Sequence, residues 1–180
     1  MQFNRPAVRT ILHQIVIATS LLGAMAFHNT PASADNETQR RSLAGMGGVH
    51  LHLALDGEDL EANQLTEAAL RPDIESILAA TGLRLLTPET SAKEPGVPWL
   101  FASVALQKSQ DSKNYVWSIR LELEQRACLE RAPQICGSAA TWSSHRFGSV
   151  GRRRVQTVRQ DLMDAVNEFV AAYLAANPRR

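Results

Sequence analysis

Tyr115-Val116-Trp117-Ser118-Ile119-Arg120-Leu121-Glu122-Leu123-Glu124 is the stretch that decides the fold. Its odd-numbered residues are all apolar, and its even-numbered residues are mostly polar or charged. In an extended chain successive side chains leave opposite faces, so period two marks a strand with one packed side and one wet side. Arg120, Glu122, Glu124 and Arg126 mix both charge signs on the wet side, as expected of an antiparallel strand with a solvated, ion-paired surface.

The same period recurs on either side. Trp99 to Lys108 places Leu100, Ala102, Val104 and Leu106 on one face, and Ser109 to Asn114 supplies a polar turn. Ala139 to Phe147, which includes Trp142, is expected as the next strand. Between them Cys128 and Cys136 enclose Leu129 to Ile135, and two close cysteines in an oxidising compartment most simply form one disulfide that closes a hairpin. Upstream, Val49, Leu51, Leu53 and Leu55 alternate with His50, His52, Ala54 and Asp56 as a further strand. Leu65, Leu70, Ile74, Ile77 and Leu78 share one side of a helix that Thr66 can cap and Gly82 can stop, with Pro72 either kinking it or starting a second helix. Leu83, Leu85 and Leu86 suggest a short strand, and Pro88 to Pro98 a loop. From Arg153 to Ala176 an apolar stripe of Val155, Val158, Leu162, Val166, Phe169, Val170 and Tyr173 predicts an amphipathic helix that Asn177-Pro178 ends.

The order is β-α-β-β-β-β-α. It predicts an α+β two-layer sandwich: a mostly antiparallel sheet of four or five strands with two helices on one face. The order of elements resembles the sheet-and-two-helix domains of outer-membrane assembly and transport accessories, a likeness of topology that assigns no functional residue.

The N-terminus reads as an export signal over residues 1–34. Arg5 and Arg9 precede an apolar run from Ile11 to Phe27, and Pro31-Ala32-Ser33-Ala34 has small residues at both positions before a cut. Asp35 then begins the mature chain, 35–48 is a flexible lead-in, 49–176 a single domain and 177–180 a tail. An uncleaved anchor is the alternative. With the leader removed, 17 basic residues face 18 acidic ones, which argues against a nucleic-acid partner.

Three constellations are candidates for chemistry. His50 and His52 leave one face of a strand and, with His145, can ligate copper or zinc if the fold brings them together. Gly148-Ser149-Val150-Gly151 leads into Arg152-Arg153-Arg154 at a helix N-terminus, where three cations oppose the helix dipole and an anion or an acidic partner would relieve them; Arg146 and Arg159 can extend that patch. Ser143 and His145 share a face as a nucleophile and base without an assigned acid. Trp99, Trp117 and Trp142 are expected in core or hairpin packing, although Trp99 and Trp142 would form a platform if both stood on the open face. These features fit an exported, non-enzymatic accessory or binding protein of a bacterial periplasm with no cofactor. It would meet an envelope protein or anionic envelope component through the open sheet face or the arginine turn. A metal or small-ligand binder using His50 and His52 is the alternative, a hydrolase a third reading, and a homodimer through strand edges a further possibility.

Overall fold

The alternation around Ile119 is realised as the middle of a 16-residue strand, Asn114–Leu129. The structure is a computed structural model and describes residues 37–110 and 113–178. The export signal expected over residues 1–34, the first residues of the lead-in and the last two of the tail lie outside the described residues.

In chain order the elements are α1 (Glu37–Arg41), β1 (Gly48–Gly57), α2 (Glu67–Ala79), β2 (Arg84–Leu85), α3 (Pro88–Ser91), β3 (Trp99–Lys108), β4 (Asn114–Leu129), β5 (Ala132–Gly151) and α4 (Gln156–Ala176), with 3₁₀ turns at Glu61–Asn63 and Arg152–Arg154. The five strands form one sheet in the order β2-β1-β3-β4-β5. The β3–β4 and β4–β5 ladders are antiparallel; β1 lies parallel to both β2 and β3. The architecture is therefore the expected two-layer α+β sandwich with a mostly antiparallel sheet.

One face of the sheet is dry. Val49, Leu51, Leu100, Val104, Ile119, Leu121, Leu123 and Trp142 are buried against Leu70, Ile74 and Leu78 of α2 and Val158, Leu162, Val166 and Phe169 of α4. Burial of this apolar area is the main favourable term in folding, at roughly 25 cal/mol per Å². Among the described residues no helix is long and apolar enough to cross a membrane.

Local chemistry sets the joints. Thr66 caps α2, its Oγ1 accepting from the Ala69 N–H at 3.3 Å. Pro72 sits inside α2 without dividing it. Pro72 and Ala68 are both exposed, so water can reach the Ala68 carbonyl that no proline N–H satisfies. Gly82, at φ +85°, ends the segment in the left-handed region. The stretch Pro88 to Pro98, read as loop, contains the short helix α3, capped by Thr87. The strand expected over Ala139 to Phe147 is longer, Ala132–Gly151, because the cysteine loop is itself strand: Cys128 pairs with Cys136 across the ladder and the two form a disulfide.

The segment read as a flexible lead-in is anchored to the core at Leu43 and Met46, with exposed residues between them. Leu43 is buried, the Tyr173 hydroxyl donates to the Met46 carbonyl at 3.1 Å, and Asn177, read as a helix stop, donates from Nδ2 to the Leu43 carbonyl at 2.9 Å. The apolar pair Leu43 and Met46 is too short a signal to reveal periodicity; it becomes core because α4 passes beside it.

Candidate functional site

The register of the three ladders lays the open face out in rows. His50 stands beside Trp99 and Trp99 beside Glu124; His52 beside Phe101, Phe101 beside Glu122 and Glu122 beside Ser143; Ser103 beside Arg120 and Arg120 beside His145. The first two rows bring four rings together. Trp99 and Phe101 stack at 5.7 Å, His50 meets Trp99 edge-on at 4.5 Å, and His52 lies 5.1 Å from Phe101. The Leu86 carbonyl, 2.9 Å from His50 Nδ1, holds that ring in place.

The two-residue offset of an extended strand explains the cluster. β3 carries its aliphatic residues at even positions and Trp99 and Phe101 at odd ones, so the aromatic pair shares parity with the wet face. That parity was the signal available in the sequence for Trp99, and it also picks out Phe101, which composition alone does not. Trp142 goes the other way. It is 1% exposed on the dry face, with Phe169 edge-on at 5.2 Å, so the two tryptophans do not form a common platform. Trp117 is partly buried against the core.

Beside the rings lies a groove of about 580 Å³, lined by Val97, Trp99, Phe101, Glu124, Arg126, Cys136, Gly137 and Ser138. Its far wall is the end of the β4–β5 hairpin, crossed by the disulfide. Ser138 donates to Glu124 at 2.7 Å, and the Arg126 N–H donates to the Gly96 carbonyl at 2.6 Å, tying the wall to the loop before β3. A second hollow of about 630 Å³ lies between the ends of α2 and α4, among Ile77, Val170 and Leu174.

The predicted metal set does not assemble. His50 and His52 are on β1 and His145 is on β5, with β3 and β4 between. Three strand spacings separate β1 from β5, roughly 14 Å, several times a metal–ligand bond. Among the described residues no three His, Cys, Asp or Glu side chains gather as a metal set. His145 instead lies 3.1 Å from Glu122, whose other oxygen is 3.4 Å from Arg120. Glu122 is thus the acid that the Ser143–His145 reading lacked, although Ser143 has no hydrogen bond to the ring among the described contacts. The ring nitrogen facing Glu122 is occupied, and general-base work would need the other one aimed at Ser143.

The arginine turn also differs from its expected extent. Arg152, Arg153 and Arg154 are exposed in a 3₁₀ turn before α4, whose first turn has no side-chain cap and no acidic residue. Arg146 does not join them, because its parity on β5 points it to the helix side, where it pairs with Glu168 at 3.2 Å. Arg159 pairs with Asp73 at 2.5 Å and donates to the Ala69 carbonyl. The turn lies at the opposite end of β5 from the groove.

Near that turn Tyr115 donates to Asp59, and Lys108 lies 3.0 Å from the same carboxylate. The Tyr115 hydrogen bond, then Lys108, holds the Asp59 carboxyl below its ordinary value of 3.8, with Arg152 adding a smaller contribution. A carboxylate whose pKa is lowered by folding contributes stability above the unfolded value and loses it as pH falls through the folded one. Acid titration of stability should therefore show a decline beginning near pH 4 that is flatter in Asp59→Asn. Equal acid limbs in the two proteins, followed by urea midpoints, would dismiss this contribution.

No protein-family model matches the chain, and no curated protein is significantly similar to it.

Proposed function

We propose that this chain is an exported, non-enzymatic binding protein of the bacterial cell envelope, and that the open sheet face is its contact surface. One observation carries the reading. Two helices cover one side of the sheet, while the other side presents a cluster of four rings beside a groove walled by a disulfide-linked hairpin. Aromatic side chains on a solvated face lose the burial that usually rewards them, and a recess that combines rings with a few fixed polar groups suits a ligand. Export is supported by the leader-like N-terminus and by the disulfide, which persists in an oxidising compartment.

The arginine turn is the second reading. It rests on three exposed cations at an uncapped helix start, without Arg146 or Arg159 to extend it. A photo-crosslinking amino acid separates the two surfaces. Placed at Phe101 or at Arg153 in the full chain expressed in a Gram-negative host, it should yield an adduct from position 101 and none from 153. The reverse pattern would transfer the function to the turn. The same preparations should carry a mature mass beginning at Asp35; a retained leader in the envelope fraction would favour the anchored form.

A further inference from the structure

We propose that the groove beside Trp99 and Phe101 binds a neutral sugar chain, with one pyranose ring seated on the indole; this rests on the open face being the contact surface. The argument is one of complementarity. The floor is two stacked rings held in place before any ligand arrives: Trp99 is flanked by His50 and Phe101, and His50 is held at the Leu86 carbonyl. Pre-set rings spare a ligand the entropy of ordering them.

The rim carries one acid and one base, Glu124 and Arg126. Glu124 accepts from Ser138, and a carboxylate retains further lone pairs for incoming hydroxyls. Arg126 is in none of the ion pairs among the described residues, so its guanidinium is available as a donor. The two charges cancel. An anionic ligand would meet Glu124, a cationic one Arg126, and an acyl chain would desolvate both. A pyranose has an apolar C–H face for the indole and a perimeter of hydroxyls that both donate and accept, which is what this rim offers. A nucleic-acid strand would also stack, but it brings a run of phosphates that one arginine beside a glutamate does not offset.

The wall supplies a further sign of a built site. Val97 borders the groove at φ +49°, a left-handed conformation that a β-branched residue adopts only when its surroundings hold it there. Its N–H donates to the Glu94 carbonyl, and the preceding Gly96 carbonyl is taken by Arg126. Such outliers concentrate at ligand sites.

The test is an NMR titration of the three indole N–H signals of the leaderless protein. The probes are the hexamers of β-1,4-linked N-acetylglucosamine, β-1,4-linked glucose and α-1,4-linked glucose. At least one should shift the Trp99 signal saturably, with a Kd at or below about 1 mM, and leave Trp142 unmoved. Trp99→Ala should weaken that binding about tenfold or more, and Trp99→Phe should retain part of it. Glu124→Gln should weaken it less. Far-UV spectra and melting curves verify that the variants are folded. No saturation with any of the three hexamers up to about 10 mM, or binding unchanged in Trp99→Ala, overturns the sugar assignment. A polypeptide adduct from the crosslinker at position 101, with no sugar binding, would leave the open-face function standing and remove only its ligand.

Discussion

Alanine at Gly57 is expected to cost this protein about 3–5 kcal/mol of stability, among the larger effects a single methyl can have. Gly57 closes β1 opposite Leu106 of β3, at φ +130°, a region that side-chain-bearing residues rarely enter. An added Cβ would lie 1.9 Å from the Leu106 carbonyl oxygen. That oxygen also accepts from the Glu58 N–H at 2.9 Å, so the backbone cannot retreat without losing the bond that turns the chain out of the sheet. The parallel β1–β3 ladder would open at this end. For a domain of this size the loss should lower Tm by roughly 10 °C or more. A urea midpoint within error of the parent would show that the β1 end relaxes freely and that the close approach carries no cost.

Removing the indole of Trp142 should be as severe, about 3–5 kcal/mol for Trp142→Ala. The residue is buried on the dry face of β5 and meets Phe169 of α4 edge-on, so it joins the sheet to its main helix. Alanine would leave a cavity bounded by strands and helix that close packing cannot collapse. Trp142→Phe offers a sharper contrast. The indole Nε1 is buried without a hydrogen-bond partner among the described residues, so the hydrocarbon ring gives up no bond and relieves an unsatisfied donor. Phenylalanine should recover most of the stability that alanine loses. Equal losses in both variants, measured by urea unfolding, would overturn this expectation, because a phenyl ring would then replace none of the packing that the indole supplies.

Much of the architecture was legible because hydrophobic period is a property of a short stretch of chain. Leu100, Ala102, Val104 and Leu106 face the core as their alternation requires, and so do the apolar positions of α2 and α4. The disulfide followed from two cysteines flanking a hairpin turn. The candidate site was less legible. His50 and His52 were singled out for a metal, but their neighbours are Trp99 and Phe101, reached by a parallel crossover of some forty residues. Nothing local in either strand encodes that pairing. Arg146 looked like part of a basic run in sequence, yet its parity on β5 sends it to the helix side and to Glu168. Trp142 and Trp99 are both strand tryptophans, but Trp99 is out of phase with the buried residues of β3 and Trp142 in phase with buried Ser144 of β5, so one stands outside and one inside.

By itself the sequence determined which residues share a face of each strand and helix, because successive side chains alternate along a strand and recur every 3.6 residues around a helix. The tertiary structure alone decided which strands are neighbours and in what register. That choice set His145 far from His50 and placed Trp99 between His50 and Glu124. The physical reason is that strand adjacency comes from burying both helices and the whole dry face at once, a sum over distant segments that no single window of residues contains.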